Sequence, residues 1–303
     1  MTSNLCGAHM IVIPGPASGS LGEKIADEID IEAHPVEHRV FPDGESYVRI
    51  TVPVEGETVV LVQTTSSPQD THLLQLLLMA GTAKDMGAKR VICVVPYLAY
   101  SRQDKRFLSG EAVSLSVIMR TLEALGAGEL IVVDAHNKES IESARRVIRV
   151  WNLSAIPLLA KYLKELGFDG AYSLAPDVGA IHLAESAARI LGGGSGSFEK
   201  RRDRRTGQIE MDERDLEVEG RDVAIFDDIV SSGGTMARAV AGLKRQGASR
   251  VAAACTHALF MGDAERRIRE AGADIIVASD TVETQFSKVS VAPLIAECLR
   301  TIR

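Results

Sequence analysis

Ile225-Phe226-Asp227-Asp228-Ile229-Val230-Ser231-Ser232-Gly233-Gly234-Thr235 is the stretch from which the rest of this 303-residue chain can be read. The apolar run of residues 223–226 is short enough for a buried strand, and residues 236–246 carry helical spacing, so the loop between them joins a strand end to a helix start. Backbone N–H groups and the positive end of a helix collect at such a junction. Gly233 and Gly234 let the backbone come close to an anion, while Ser231, Ser232 and Thr235 add hydroxyl donors. The loop reads as a phosphate cradle. Asp227 and Asp228 cannot bind phosphate, so they ask for a second feature beside it: vicinal hydroxyls, a divalent cation, or both. The ligand so described is a sugar phosphate. An ordinary strand-to-helix turn with acids near a helix start would account for the Gly-Gly pair alone, but not for the whole string.

Outward from this loop, short apolar runs alternate with longer amphipathic stretches. Strands are expected at 10–14, 58–63, 91–95, 130–134, 171–175, 222–227, 250–255 and 274–278. Their Val and Ile content on both faces suits parallel strands covered by helices. Helices are expected near 19–29, 70–86, 112–125, 156–166, 180–191, 234–246, 263–271 and 290–302. The class is α/β.

The second half repeats the first. Leu21-Gly22-Glu23 answers Leu183-Ala184-Glu185 at an offset of 162, and Val54-Glu55-Gly56 answers Val218-Glu219-Gly220 at 164. Gly87-Ala88-Lys89-Arg90-Val91 answers Gly247-Ala248-Ser249-Arg250-Val251 at 160, and Gly126-Ala127 answers Gly272-Ala273 at 146. Chance matches would scatter; a nearly constant offset marks duplication. The late drop of 14 says that the first copy holds an insert between 91 and 126, which includes Ser101-Arg102-Gln103-Asp104-Lys105-Arg106, a polar and mostly basic site loop. The first-half counterpart of the cradle, Gln63-Thr64-Thr65-Ser66-Ser67-Pro68-Gln69-Asp70, lacks the acid pair and the glycines. One sugar-phosphate site is therefore expected, in the C-terminal copy. The domains are drawn at 10–150 and 151–303.

Four further segments bear chemistry. Phe41-Pro42-Asp43-Gly44-Glu45-Ser46 stands in a Pro-Asp-Gly turn context and on its own is simply a hairpin turn. Asp134-Ala135-His136-Asn137 ends a strand, where parallel sheets bind ligands, although a lone His is more often structural. Ala175-Pro176-Asp177-Val178-Gly179-Ala180 is another strand-to-helix loop, compatible with metal or pyrophosphate and equally with a simple turn. Residues 192–207 set glycines next to Lys200-Arg201-Arg202-Asp203-Arg204-Arg205, a mobile basic arm able to close over a polyphosphate, or else a solvated basic loop.

Composition excludes several classes. With 46% hydrophobic and 25% charged residues the chain is an ordinary globular protein, and its net charge of −7 gives no reason to expect nucleic acid or an anionic membrane. No apolar run approaches a membrane span. Cys6, Cys93, Cys255 and Cys298 are widely spaced, and Cys93 and Cys255 lie in strand-like runs, which suits buried thiols in a reducing cytoplasm. Residues 1–9 read as foreign to the fold, because the natural first strand begins at Met10.

Taken in order, these five segments resemble the ribose-phosphate pyrophosphokinase family over nearly all of residues 10–303. The resemblance implies two tandem phosphoribosyltransferase-like, Rossmann-like domains with mainly parallel sheets, and transfer of the β,γ-pyrophosphoryl group of ATP to the anomeric hydroxyl of ribose 5-phosphate. It implies that Phe41, Asp43, Gly44 and Glu45 contact ATP from a neighbouring subunit of a homo-oligomer, and that Arg102 and Gln103 hold it as well. His136 and Asp177 match Mg2+ ligands, and Lys200 and Arg202 match a catalytic arm, Arg202 also reaching the sugar phosphate. Asp227 with Ser231, Ser232, Gly233, Gly234 and Thr235 matches the ribose-phosphate site, and Asp228 assists there or at a second magnesium. Ser231 stands where many members carry a third Asp, and Ser232 where Thr is usual. A non-catalytic regulatory homologue tends to lose the arm or the metal ligands, all present here. A base-using phosphoribosyltransferase would leave the Phe41–Glu45 and Arg102–Gln103 segments without a task.

Overall fold

The structure, a computed structural model, describes residues 9–137, 139–141, 147–202, 209–212 and 216–302, and for 199–202 and 209–212 it describes the backbone alone. The chain divides into two compact units, Met1–Leu153 with Val291–Arg303, and Ser154–Ser290.

In the first unit, β1 (Met10–Pro14), β4 (Thr58–Val62), β5 (Arg90–Val94), β6 (Ala127–Val133) and β7 (Arg149–Leu153) form one sheet in that order. Every neighbouring pair is parallel. All five residues of β4 are buried, as its unbroken Thr-Val-Val-Leu-Val run requires when helices cover both faces. The covering helices include α1 (Gly19–Glu28), α2 (Gln69–Asp85) and α3 (Ser114–Ala124). Met79, Ala80 and Ala83 of α2 and Met119 and Leu122 of α3 pack on Val59, Leu61, Val91 and Cys93. An antiparallel hairpin of β2 (Glu37–Val40) and β3 (Ser46–Arg49) sits beside α2. The hairpin turn expected at Phe41–Ser46 is therefore present; its exposed, mixed-polarity arms carry too little patterning to be read as strands.

The second unit contains α4 (Ile156–Leu163), β8 (Tyr172–Ala175), α5 (Ile181–Leu191), β9 (Ser195–Ser197), β10 (Glu199–Arg202), β11 (Ile209–Asp212), β12 (Val223–Val230), α6 (Gly234–Arg245), β13 (Val251–Ala258), α7 (Ala264–Glu270), β14 (Ile275–Ser279) and β15 (Ser287–Val289). Its parallel sheet runs β9-β8-β12-β13-β14-β15. Without the added edge strand β9, that order repeats the first sheet strand for strand, so the duplication seen in the sequence is a duplication of topology. Apolar side chains fill both faces of this sheet, Met236, Val240 and Leu243 of α6 on one and Leu159, Leu183 and Ala187 of α4 and α5 on the other.

The last helix, α8 (Ala292–Ile302), belongs to the first unit, where the sequence reading carried the second domain on to residue 303. It packs on α1 and β7, and the Ile302 carbonyl accepts from Arg90 Nη1 at 2.9 Å. No helix among the described residues is long and apolar enough to cross a membrane. Cys93, Cys255 and Cys298 are free and buried, and burial raises the Cys93 thiol to about 12. Cys6 and residues 1–8 as a whole lie outside the described residues.

Candidate functional site

β12 runs three residues past its expected end, because Ile229 and Val230 still pair with His257 and Ala258 of β13. Asp227 and Asp228 therefore stand on the strand itself, and the loop of Ser231–Gly233 leaves its carboxyl end, where open α/β sheets bind ligands. α6 begins at Gly234, with Gly233 in the left-handed region at φ +74°. That conformation favours glycine, and a Cβ at Gly233 would stand 2.9 Å from the Ala264 carbonyl oxygen.

The loop is held from behind. Leu259 and Phe260 N–H donate to the Val230 carbonyl at 3.0 and 3.2 Å, Met261 N–H to the Ser231 carbonyl at 2.9 Å, and Arg267 Nη1 to the Ser232 carbonyl at 3.2 Å. With these carbonyls committed, the N–H groups and hydroxyls of the loop are what an anion can meet. Arg238, one turn into α6, reaches the Thr235 hydroxyl at 3.4 Å and adds a cation beside the loop. Sequence reasoning missed Arg238 and Arg267; the three-residue spacing from Thr235 to Arg238 on one helix face was the available signal for the first.

The carboxylates are crowded. Asp228 N–H donates to Asp227 Oδ1 at 3.0 Å, and Ile229 N–H donates to Asp228 Oδ1 at 2.8 Å. Burial, then the charge of Asp228 and the hydrogen bond to its side chain, then the charge of Asp177, push the Asp227 carboxyl well above the usual carboxylate range. Asp177 stands two residues past β8, where its Oδ1 accepts from Gly179 N–H at 2.9 Å. These three acids are thus near one another in the second unit. Among the described residues no three His, Cys, Asp or Glu side chains form a cage for a metal ion. Magnesium is commonly held by one or two carboxylates together with substrate phosphates and water, so these hard oxygen donors fit it without such a cage.

The first unit's counterpart of the cradle is filled from within. Gln63, Thr64 and Thr65 are buried. Ala17 N–H donates to Gln63 Oε1 at 3.0 Å, Thr64 N–H to Ser18 Oγ at 2.8 Å, and Thr65 N–H to the Tyr97 carbonyl at 2.9 Å. These backbone donors already have partners at the end of the strand.

The other expected site residues fall on two further segments of the first unit. In the hairpin, Phe41 N–H donates to the Glu45 carbonyl at 2.8 Å, Glu45 N–H to Asp43 Oδ1 at 3.2 Å, and Gly44 takes φ +97°. Arg39 lies 4.8 Å from the Phe41 ring centre and 4.6 Å from that of Tyr47, a stacked support that the sequence did not reveal. Arg102 and Gln103 are exposed on the insert, near Tyr100, whose hydroxyl donates to Asp70 Oδ1 at the start of α2. His136 is exposed in the first unit, whereas its expected metal partner Asp177 belongs to the second. Lys200 and Arg202 lie on β10, paired antiparallel with β11; their side chains lie outside the described residues.

Comparison with known proteins identifies the family. Residues 10–126 match the family described as the N-terminal domain of ribose phosphate pyrophosphokinase, and residues 158–292 match the phosphoribosyl transferase domain. A ribose-phosphate pyrophosphokinase of Methanothermobacter thermautotrophicus is 41% identical over 290 residues, covering 96% of this chain and all of that protein. One of Saccharolobus solfataricus is 39% identical over 274 residues, covering 90% and 93%. The crystal structure of phosphoribosylpyrophosphate synthetase from Mycobacterium smegmatis superposes with a TM-score of 0.85 at 28% identity, covering 97% of this chain and 98% of that one. The chain belongs to the ribose-phosphate pyrophosphokinase family.

Proposed function

We propose that this protein is a ribose-phosphate diphosphokinase, moving the pyrophosphoryl group of ATP to the anomeric hydroxyl of ribose 5-phosphate. The observation that carries the reading is the single cradle after β12: a hydroxyl-rich, Gly-Gly loop at a helix N-terminus, with Asp227 and Asp228 on the strand leading into it. Its counterpart in the first unit lacks the acid pair and the glycines, and Ser18 Oγ takes the Thr64 N–H there. One acceptor loop per chain, in a chain whose other unit carries the nucleotide segments, suits an enzyme that joins two different phosphate ligands.

In this reading Ser231–Thr235 hold the 5-phosphate, with Arg238 offsetting its charge. Asp227 and Asp228 accept hydrogen bonds from the ribose hydroxyls and fix the anomeric oxygen toward the donor. Phe41, Asp43, Gly44 and Glu45 contact the nucleotide of a neighbouring subunit in a homo-oligomer. Arg102 and Gln103 hold the same nucleotide. The sugar O1 forms a bond to the β-phosphorus, the bond from that phosphorus to the α,β-bridging oxygen breaks, and AMP leaves with the pair of electrons. The O1 proton is lost to the medium.

Transfer of this kind depends on in-line positioning and on neutralising phosphate charge more than on covalent catalysis. Lys200 and Arg202 supply positive charge to the transferred group as β10 and β11 close over it, and closure keeps water from competing. His136 of the first unit and Asp177 of the second are each assigned as Mg2+ ligands, and the ion when bound supplies charge neutralisation to the phosphates. We place the enzyme in the cytoplasm, and assign the nucleotide to the first unit and the sugar phosphate and arm to Ser154–Ser290.

The test is to incubate the purified protein with magnesium, ATP and ribose 5-phosphate and to separate the nucleotides. AMP formed only in the presence of the sugar phosphate is the expected result. ADP would overturn the mechanism, and ATP binding without turnover would favour a regulatory homologue.

A further inference from the structure

Between residues 102 and 112 of the insert every side chain is exposed except that of Asp104, which turns inward and is half-buried. Its Oδ2 accepts two hydrogen bonds, from Asn137 Nδ2 at 2.6 Å and from Ser140 Oγ at 2.5 Å. Both donors sit on the segment after β6 that carries His136. Asn137 in turn organises that segment: its Oδ1 accepts from Ser140 N–H at 3.2 Å, and its carbonyl accepts from Ile141 N–H at 3.1 Å. On the other side of Asp104 stand Arg102 and Gln103. Gln103 N–H donates to the Tyr100 carbonyl at 3.1 Å, and its own carbonyl accepts from Leu115 N–H at 3.3 Å. A single carboxylate therefore joins two loops that are 33 and 36 residues apart in sequence.

We infer that Asp104 is a positioning residue for the nucleotide: it ties the loop bearing Arg102 and Gln103 to the loop bearing His136, so that both segments meet the triphosphate in one fixed arrangement. The inference rests on the function proposed above. A charge-assisted pair of hydrogen bonds is stronger and shorter than neutral ones, which suits a joint between an exposed insert and the half-buried segment after β6. Misplacing a positioning group by about 1 Å can cost about 10²-fold in rate, so such a joint matters to catalysis without touching substrate.

The reciprocal arrangement of donor and acceptor permits an exchange test in the full-length protein. Asn137→Asp sets two carboxylates face to face, whereas the double variant Asp104→Asn with Asn137→Asp restores an amide opposite a carboxylate with the roles reversed. The single variant is expected to raise KM for ATP about tenfold while KM for ribose 5-phosphate stays within about twofold. The double variant is expected to recover most of that loss. Hydrogen exchange at the Ser140 and Ile141 amides, read without any ligand, should speed up in the single variant and return in the double. Unchanged exchange, or a double variant no better than the single, sinks the inference. If the wild-type protein makes no AMP, the exchange data still decide whether the joint exists, and only the assigned reaction fails.

Discussion

Gly233 presses on Ala264: a Cβ added to the glycine would lie 2.9 Å from the Ala264 carbonyl oxygen and 3.0 Å from its Cα, on a backbone already at φ +74°. The phosphate loop is thus shaped as much by α7 behind it as by α6 after it. Gly233→Ala is expected to shift the loop, with left-handed strain of about 1–2 kcal/mol added to the clash. KM for ribose 5-phosphate should rise tenfold or more, with KM for ATP nearly unchanged. Steady-state kinetics with each substrate varied in turn provide the check; equal effects on both constants would speak for general unfolding.

In the proposed function the basic arm supplies charge only when the transferred group is in place. By analogy with other cationic stabilisers of phosphoryl transfer, Lys200→Ala should lower the turnover rate by about 10³-fold or more. ATP affinity, read by calorimetry, should stay within a few-fold. A loss smaller than tenfold with binding intact would remove Lys200 from the catalytic role.

Asp227 and Asp222 shift in opposite directions, and so do their effects on stability. Burial and the neighbouring carboxylates raise Asp227, so its contribution is favourable below the usual carboxylate range and is lost as the pH rises through the raised value. The Arg250 guanidinium, which donates to Asp222 Oδ2 at 2.5 Å, lowers Asp222, so that contribution is present at neutral pH and is lost as the pH falls through the lowered value. Asp227→Asn should therefore raise the melting temperature at pH 7 while it lowers activity, a trade of stability for function. Asp222→Asn should lower the melting temperature at pH 7 and have progressively less effect in acid. Thermal melts of both variants from pH 3 to 8 would show the opposite slopes or their absence.

Arg90 donates to both carboxylate oxygens of Glu129, at 2.9 and 2.5 Å, and to the Ile302 carbonyl. The Glu129 side chain is only 7% exposed. Glu129→Ala should leave the guanidinium without its main partner and cost roughly 2–3 kcal/mol. The melting temperature should fall by several degrees, with substrate KM values unchanged at 25 °C; a shift under one degree would contradict the assignment.

The alternation of apolar runs and amphipathic stretches was enough to place β1, β4, β5, β8, β12 and the helices between them, because strands buried on both faces need unbroken Val and Ile. β2 and β3 escaped because Glu-His-Arg-Val and Ser-Tyr-Val-Arg bury no consistent face. The apolar stripe of α8 announced a buried face but not its partner, and only the fold shows that it lies against α1. In the candidate site, the placement of Gly233 and Thr235 at a strand-to-helix junction was legible, because the apolar run before them and the helical spacing after them bracket the loop. Arg267, Arg39 and Asp104 were not: each is one polar residue whose partner is distant in sequence, and no spacing rule joins Asp104 to Asn137 or Arg267 to Ser232.

The central claim concerns which group leaves ATP. With ATP labelled at the γ-phosphate, magnesium and ribose 5-phosphate, the label should move to the sugar as part of a diphosphate, in one-to-one amount with AMP. Label found on the sugar as a single phosphate beside ADP, or released to water as pyrophosphate, would contradict it.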